Sequence, residues 1–417
     1  MSSTRRRFLR YGTLTAVAAT ARPLTAAERT RAFGANDRIR IGLIGCGSRG
    51  VTAHMKAAKD HAAEANVEVV AVTDPWRVAA EEAAARAKEW FGRKADICRS
   101  YRDLLARSDI DAVMIASPDH AHATQLEATA RAGKHAYVEK PLANRMPELL
   151  RAVDAVKEAG IIVQCGTQLR SQPGVVGARR LMKSGLLGRA SRAEQIRNAD
   201  RPYWLSYLKR DVRAEDVDWA EFTMGLVDRP FDEVIYSAWY GVYEFSQGPV
   251  PQWGVHFLDT IHFILDLDCP ESCVCMGGTY TWKDEPRFTA PDQVHALWRY
   301  REGLMVSYTT NFGNGFGNTT RILTDKGVMK LDRADPIYTA EGGIRRDGSI
   351  RGENKVEPVE HPDHFLDWFQ SLRSGRAPNA PIEAGYKHAV ASILATEAME
   401  QGRRMKFDPA ARRILPG

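Results

Sequence analysis

Residues 38–44, Arg38-Ile39-Arg40-Ile41-Gly42-Leu43-Ile44, alternate toward a buried strand and run straight into Gly45-Cys46-Gly47-Ser48-Arg49-Gly50, after which helix-forming residues continue through Ala65. No other part of the chain restricts the fold as much. A strand, a glycine turn and a helix in that order predict a corner built for the pyrophosphate of a dinucleotide, with the helix N-terminus facing the anion. Gly45 makes the tight turn, Gly47 lets the backbone approach the phosphates, and Gly50 permits close packing of helix on strand. A second strand, residues 67–73, ends on Asp74, where a carboxylate would accept the hydroxyl bonds of an adenosine ribose. Asp74 favours NAD because it repels a 2′-phosphate, whereas Arg49 and Arg77 keep NADP possible. It can also serve as a helix cap ahead of Pro75.

Strand and helix patterns keep alternating. A helix over residues 78–91 and another around 101–107 are followed by a strand over 112–116, a helix over 123–132 and a strand over 135–138. This run predicts an α/β fold with a doubly wound parallel sheet, whose ligands bind beyond the carboxyl ends of the strands. Two of those ends carry Ser117-Pro118-Asp119-His120-Ala121-His122 and Glu139-Lys140-Pro141.

At 417 residues the chain exceeds one ordinary core, so a second lobe is expected. Its formal charge of +6 arises at one end: residues 1–26 hold Arg5, Arg6, Arg7, Arg10 and Arg22 and no acid, and without them 53 basic residues face 52 acidic ones. A nearly neutral body lacks the footprint that nucleic-acid binding requires. No stretch is long and apolar enough for membrane insertion. Thr4-Arg5-Arg6-Arg7-Phe8-Leu9-Arg10, an apolar run over residues 11–21 and the small residues Thr25-Ala26-Ala27 resemble a twin-arginine export signal. The expected layout is a signal and linker over 1–36, a nucleotide domain over 37–160 and a substrate and oligomerisation domain over 161–417. The twin-arginine machinery would deliver the protein to the periplasm or otherwise outside the cytoplasm. That route carries folded proteins, so six cysteines need not mean three disulfides. Cys46, Cys98 and Cys165 fall in strand patterns, and Cys273 and Cys275 point the same way. Together with Cys269 they offer poor zinc spacing, so buried thiols and no metal are expected.

The blocks Gly45-x-Gly47-x-x-Gly50, Ser117-Pro118-x-x-x-His122, Ala132-Gly133-Lys134-His135 leading to Glu139-Lys140-Pro141, and Gly254-x-His256-x-x-Asp259 together resemble the Gfo/Idh/MocA oxidoreductase family, over most of residues 38–408. The resemblance implies an N-terminal Rossmann domain that holds NAD, with NADP possible, through Gly45, Cys46, Gly47, Ser48, Arg49, Gly50, Asp74, Ser117, Pro118, His122, Glu139 and Lys140. It also implies a C-terminal α/β domain whose open, mostly antiparallel sheet faces the nicotinamide and mediates contacts in a homo-oligomer. A catalytic role for Lys140 follows from the same likeness. Physically, an ammonium at that strand end can hydrogen-bond the reacting hydroxyl and stabilise a developing alkoxide. His120 and His122 lack carboxylate or thiolate partners at metal-binding spacing, and His122 reads as structural rather than chemical.

Beyond residue 160 a strand over 161–165 and a helix over 174–184 open the second lobe. Aromatics between Tyr203 and Trp253, among them Trp204, Tyr207, Trp219, Trp239, Tyr240 and Tyr243, suit the apolar faces of a sugar, with two or three expected to line the site. A helix over 252–265 is expected to put Gln252 and His256 on one face. In the resembled family the position four before this His is commonly an Asp that assists proton removal; here Gln252 cannot act as a base. Either His256 alone takes the proton, which an ordinary pKa of about 6.5 allows and which is the favoured expectation, or the site does not run ordinary dehydrogenation; Tyr240, Tyr243 and Glu244 stand in reserve. Strands over 293–300 and 304–310, a turn cluster over 311–318, a helix over 382–401 and a strand over 405–408 complete the reading.

These features predict an enzyme that moves hydride from a secondary hydroxyl of a sugar, polyol or glycoside to a tightly bound nicotinamide, since an exported enzyme has no supplied cofactor pool. Two alternatives stay open: redox-neutral glycoside cleavage through transient oxidation, and a non-catalytic sugar-binding protein on the same scaffold.

Overall fold

The computed structural model describes residue 34 and residues 37–417, apart from 209–210, 285–286, 333–334 and 346–347. The export-signal motif lies outside the described residues. Strands β1 (Ile39–Ile44), β2 (Val67–Thr73), β3 (Asp96–Ile97), β4 (Ala112–Ile115), β5 (His135–Val138) and β6 (Val163–Cys165) form a parallel sheet in the order β3-β2-β1-β4-β5-β6. Its central strands are buried on both faces, which is why they read as near-continuous apolar runs. Helices Arg77–Phe91, Tyr101–Ala106 and His122–Arg131 make crossovers within a residue or two of the expected positions, and a further helix, Met146–Ala159, joins β5 to β6. Strand order reverses between β1 and β4, and a crevice opens there.

β6 pairs with β5 through Ala136 and Val163, so the first sheet takes its last strand from beyond residue 160.

The second sheet contains β7 (Ala190–Ile196), β8 (Ser272–Gly278), β9 (Gln293–Arg299), β10 (Met305–Asn311), β11 (Thr319–Thr324), β12 (Val328–Lys330), β13 (Ile337–Thr339), β14 (Asn354–Lys355), β15 (Met405–Asp408) and β16 (Arg413–Pro416). Their order is β14-β13-β12-β11-β7-β10-β9-β8-β15-β16, antiparallel except where β7 meets β10. Alternate residues such as Cys273, Cys275, Ala296, Trp298, Val306 and Tyr308 face the core. The six cysteines are free thiols, four buried and two, Cys98 and Cys269, half-buried.

Helix Ile382–Gln401 lies between the two sheets. The Trp298 indole donates to its Ala391 carbonyl at 2.8 Å, while on the other side a Cβ on Gly385 would stand 2.5 Å from Cys165 Sγ. Only a glycine lets the helix come that close to β6. One apolar core thus runs from Ile115 through Leu394 to Val306. Helix His364–Ser374 turns back onto the first lobe, where Phe365 stacks on Tyr137 with ring centroids 4.4 Å apart and Trp368 and Phe369 fill the core beneath. The lobes are continuous in packing. Among the described residues no helix is long and apolar enough to cross a membrane, and no group of three or more His, Cys, Asp or Glu is placed to hold a metal ion.

Candidate active site

The glycine turn has the geometry its residues imply. Gly45 adopts φ +93°, and a Cβ on it would press to 2.7 Å against the Ala116 backbone across the crevice. A Cβ on Gly50 would lie 2.0 Å from the Gly45 carbonyl oxygen. Gly47, by contrast, has nothing within 4 Å of its Cβ position and opens onto a cleft of about 590 Å³. That is the shape of a cradle for a group approaching the backbone.

Of the residues implied to touch the cofactor, Gly45, Gly47, Ser48, Arg49, Asp74, Ser117, Pro118, His122, Glu139 and Lys140 line this cleft. Cys46 and Gly50 do not. The Cys46 side chain turns into the core and donates to the Thr73 carbonyl, because its backbone N–H is drawn to Asp74 Oδ2 at 2.6 Å. Asp74 also accepts from Trp76 N at 2.8 Å, so it shapes the start of the following helix as well as the cleft rim.

Both arginines that could greet a 2′-phosphate are already paired. Arg77 bonds Glu81 and Asp216, and Arg49 Nε donates to Glu139 Oε1 at 2.7 Å. Glu139 is buried, which works against its charge, yet Arg49, His54 and Lys140 hold its carboxyl well below the usual range. His54, whose Nε2 lies 2.9 Å from the same oxygen, was not singled out in the sequence because nothing in a helical apolar face marks it. Glu139 is thus an anchor tying the glycine turn to the strand end that bears Lys140. His122 acts similarly: its two ring nitrogens sit 2.8 Å from the Pro141 and Ser117 carbonyl oxygens, joining the two loops.

Lys140 Nζ donates to the backbone carbonyl of Gln252 at 2.9 Å. Burial pushes its pKa down, while the Asp119 and Glu139 carboxylates pull it back up. Gln252 occupies a wide π-type turn, Val250–Gly254, and the regular helix begins only at Val255. Pro249 and Pro251 explain the later start, since neither has an N–H to donate. Gln252 and His256 nevertheless both line the cleft.

His256 does not have the ordinary pKa expected of a base. Burial pushes it down to about 3, and the Lys140 ammonium adds to the effect. A ring so reluctant to hold a proton is neutral at physiological pH and a weak acceptor. Asp259, the last residue of its motif, points away from the cleft into a buried pair with Arg170. Of the aromatics, Tyr203, Tyr207, Trp239, Tyr240 and Trp253 line the cleft, whereas Trp204 is core. Neither reserve candidate Tyr243 nor Glu244 reaches the cleft: they bond Glu400 and Arg229. Arg197, 4.3 Å over the Trp253 ring, and Gln168, which donates to Tyr137 Oη, complete the wall. Arg197 follows β7 with no sequence signal that could have found it.

A glycine turn at the switch point of a parallel sheet, facing a lysine and a wall supplied by a second, antiparallel lobe, defines a two-domain dinucleotide-binding oxidoreductase fold. Residues 39–167 match the family model described as oxidoreductase family, NAD-binding Rossmann fold, and residues 226–407 match its C-terminal alpha/beta domain. The chain belongs to the Gfo/Idh/MocA oxidoreductase family. It is similar to inositol 2-dehydrogenase 2 of Saccharopolyspora erythraea, 32% identical over 45% of this chain and 54% of that protein, so the match spans about half the relative's length. Inositol 2-dehydrogenase of Acidothermus cellulolyticus is 24% identical over 90% of this chain and 96% of its own. Among solved structures, the WlbA dehydrogenase from Bordetella pertussis in complex with NADH and UDP-GlcNAcA shares the fold, with a TM-score of 0.67 at 22% identity, covering 89% of this chain and 99% of that one.

Proposed function

We propose that the protein is an NAD-dependent oxidoreductase that takes hydride from a secondary hydroxyl of a sugar, polyol or glycoside. The observation that carries the reading is the Lys140 ammonium, which lies in one cleft with the open Gly47 cradle and the Tyr203, Tyr207 and Tyr240 rings. The cradle fits a dinucleotide, and the pairing of Arg49 and Arg77 favours NAD over NADP. Bound there, the dinucleotide would supply the hydride acceptor. Lys140 hydrogen-bonds the reacting oxygen and stabilises negative charge as the hydroxyl proton departs. The aromatic rings cover the C–H faces of the substrate, and Gln168 and Arg197 meet its hydroxyls. The names of the inositol 2-dehydrogenases and of the nucleotide-sugar complex support this substrate class.

Loading the purified protein with NAD and screening sugars, polyols and aryl glycosides tests the reading. Reduced nicotinamide should appear with an oxidised product and no cleavage. Glycoside cleavage without net reduction would favour the redox-neutral alternative, and tight binding without either change would favour a binding protein.

The export reading is also a proposal. It rests on Arg5-Arg6-Arg7 ahead of Phe8-Leu9 and an apolar run. Changing Arg5 and Arg6 together to Lys should leave a folded, uncleaved precursor in the cytoplasm, while the unaltered protein carries its dinucleotide out and releases it only on denaturation. Equal export of the variant would remove the twin-arginine assignment.

A further inference from the structure

Gln252 leaves the substrate without a carboxylate where one was expected, and His256 is a poor substitute. The structure places a carboxylate at the same point from the opposite lobe. Asp119 sits in the short turn Asp119–Ala121 after β4, is only 3% exposed and lines the cleft. Its Oδ2 accepts from Gln252 Nε2, the side chain that stands where the acid is missing. The backbone of the same glutamine accepts from Lys140 Nζ, so Gln252 is gripped between the ammonium and the carboxylate.

The charged and titratable groups that face Asp119 are Lys140 and Glu139 from the end of β5, Tyr203 from the turn after β7, and Tyr240 from the segment ahead of the π-type turn. Two tyrosines and a lysine around a carboxylate make a polar centre in the wall of the cleft. Burial raises the Asp119 carboxyl well above the usual carboxylate range, with Lys140 opposing. A carboxylate so raised is a stronger base than an exposed one, and this suits proton abstraction from an alcohol.

Resting on the oxidoreductase reading above, we infer that Asp119 is the catalytic base of this site, a carboxylate delivered from the nucleotide-binding lobe in place of the one that position 252 lacks. In the oxidation, the carbinol C–H bond breaks with its electron pair passing to the nicotinamide. The O–H bond breaks with its proton passing to Asp119, and the carbon–oxygen double bond forms. Lys140 holds the oxygen throughout. Asp119 then gives the proton to solvent before the next turnover, so the net change is alcohol and NAD to carbonyl, NADH and a proton. Gln252 becomes a positioning residue: its amide orients the Asp119 carboxylate and its carbonyl orients Lys140.

The test compares the unaltered protein with Asp119→Asn and with the double variant Asp119→Asn/Gln252→Asp, using the fastest sugar, polyol or aryl glycoside of the screen. The asparagine oxygen can still accept from Gln252, so the loop should keep its place. Asp119→Asn should lose at least about a hundredfold in kcat, the scale of a missing general base, with NAD affinity unchanged. The rise of activity with pH that reports ionisation of the base should disappear with it. The double variant returns a carboxylate to the opposite side and should recover at least about tenfold of that loss. Infrared difference titration of the NAD-loaded protein without substrate, with Asp119→Asn as the blank, should show a carboxyl band titrating above the ordinary carboxylate range. Near-unaltered turnover in Asp119→Asn, or absence of that band, overturns the inference while leaving the oxidoreductase reading in place. If the unaltered protein oxidises nothing in the screen, that reading fails and the inference with it.

Discussion

Replacing Lys140 with methionine should lower turnover by at least about a hundredfold while leaving the fold and NAD binding intact, the scale of removing one stabiliser of a developing alkoxide. Methionine matches the lysine stem in length and flexibility, so the cleft wall stays filled. What is lost is the donor now on the Gln252 carbonyl at 2.9 Å and the positive charge beside Asp119. Arginine should not rescue it, because its planar fork cannot occupy the point position of an ammonium. The pH dependence gives a second readout. Lys140 must stay protonated to act, and burial lowers its pKa, so activity should fall as pH rises through a limb below the ordinary lysine range. That limb should be missing in the methionine variant. Asp119 supplies the opposite limb, and the two observed values belong to the pair, since each group shifts the other. Turnover near the unaltered level in Lys140→Met would remove the lysine from the chemistry.

Much of the first lobe was legible because its determinants are local. A strand that must be buried on both faces writes itself as an apolar run, and a turn that excludes a Cβ at Gly45 and Gly50 leaves glycine as the only choice. Lys140 was legible for the same reason: a charged pair at the carboxyl end of a buried strand is conspicuous. The site residues that escaped notice meet only in three dimensions. Asp119 was one letter in a loop motif until Gln252, 133 positions further along the chain, was seen bonded to it. Periodicity reports which face His256 occupies and carries nothing about the desolvation that lowers its pKa. The return of helix His364–Ser374 to the first sheet was equally hidden, because Phe365, Trp368 and Phe369 look like any amphipathic face until the surface they cover is known.

The second large effect is expected at Asp259, in the joint between the lobes. Arg170 follows β6, the last strand of the parallel sheet, and donates through Nε and Nη2 to the two carboxylate oxygens of Asp259, each at 2.8 Å; both side chains are buried. Arg170 also donates to the Asn379 carbonyl at 2.9 Å, and His388 on the central helix stands 3.4 Å from Asp259 Oδ1, so two separated segments meet on one carboxylate and a third is tied in through Arg170. Replacing Asp259 with asparagine keeps the shape and removes the charge, leaving the guanidinium buried without its counter-ion. The expected cost is about 3–5 kcal/mol, the range for breaking one side of a buried pair, read by urea unfolding at neutral pH. The sign with pH follows from the carboxyl being held far below its ordinary range, burial opposing and Arg170 and His388 prevailing. The stabilisation is fully present above the unfolded-state pKa of about 3.9 and is lost as pH falls through the folded value. The gap between the unaltered protein and the asparagine variant should therefore stay constant through neutral and mildly acid solution and narrow only below about pH 4. Since one core and this joint bind both lobes, the unaltered protein should unfold in a single transition, and the variant should unfold earlier while losing little NAD affinity. A gap that stays unchanged in strong acid, or a variant as stable as the unaltered protein, would show that Asp259 is not what holds the joint.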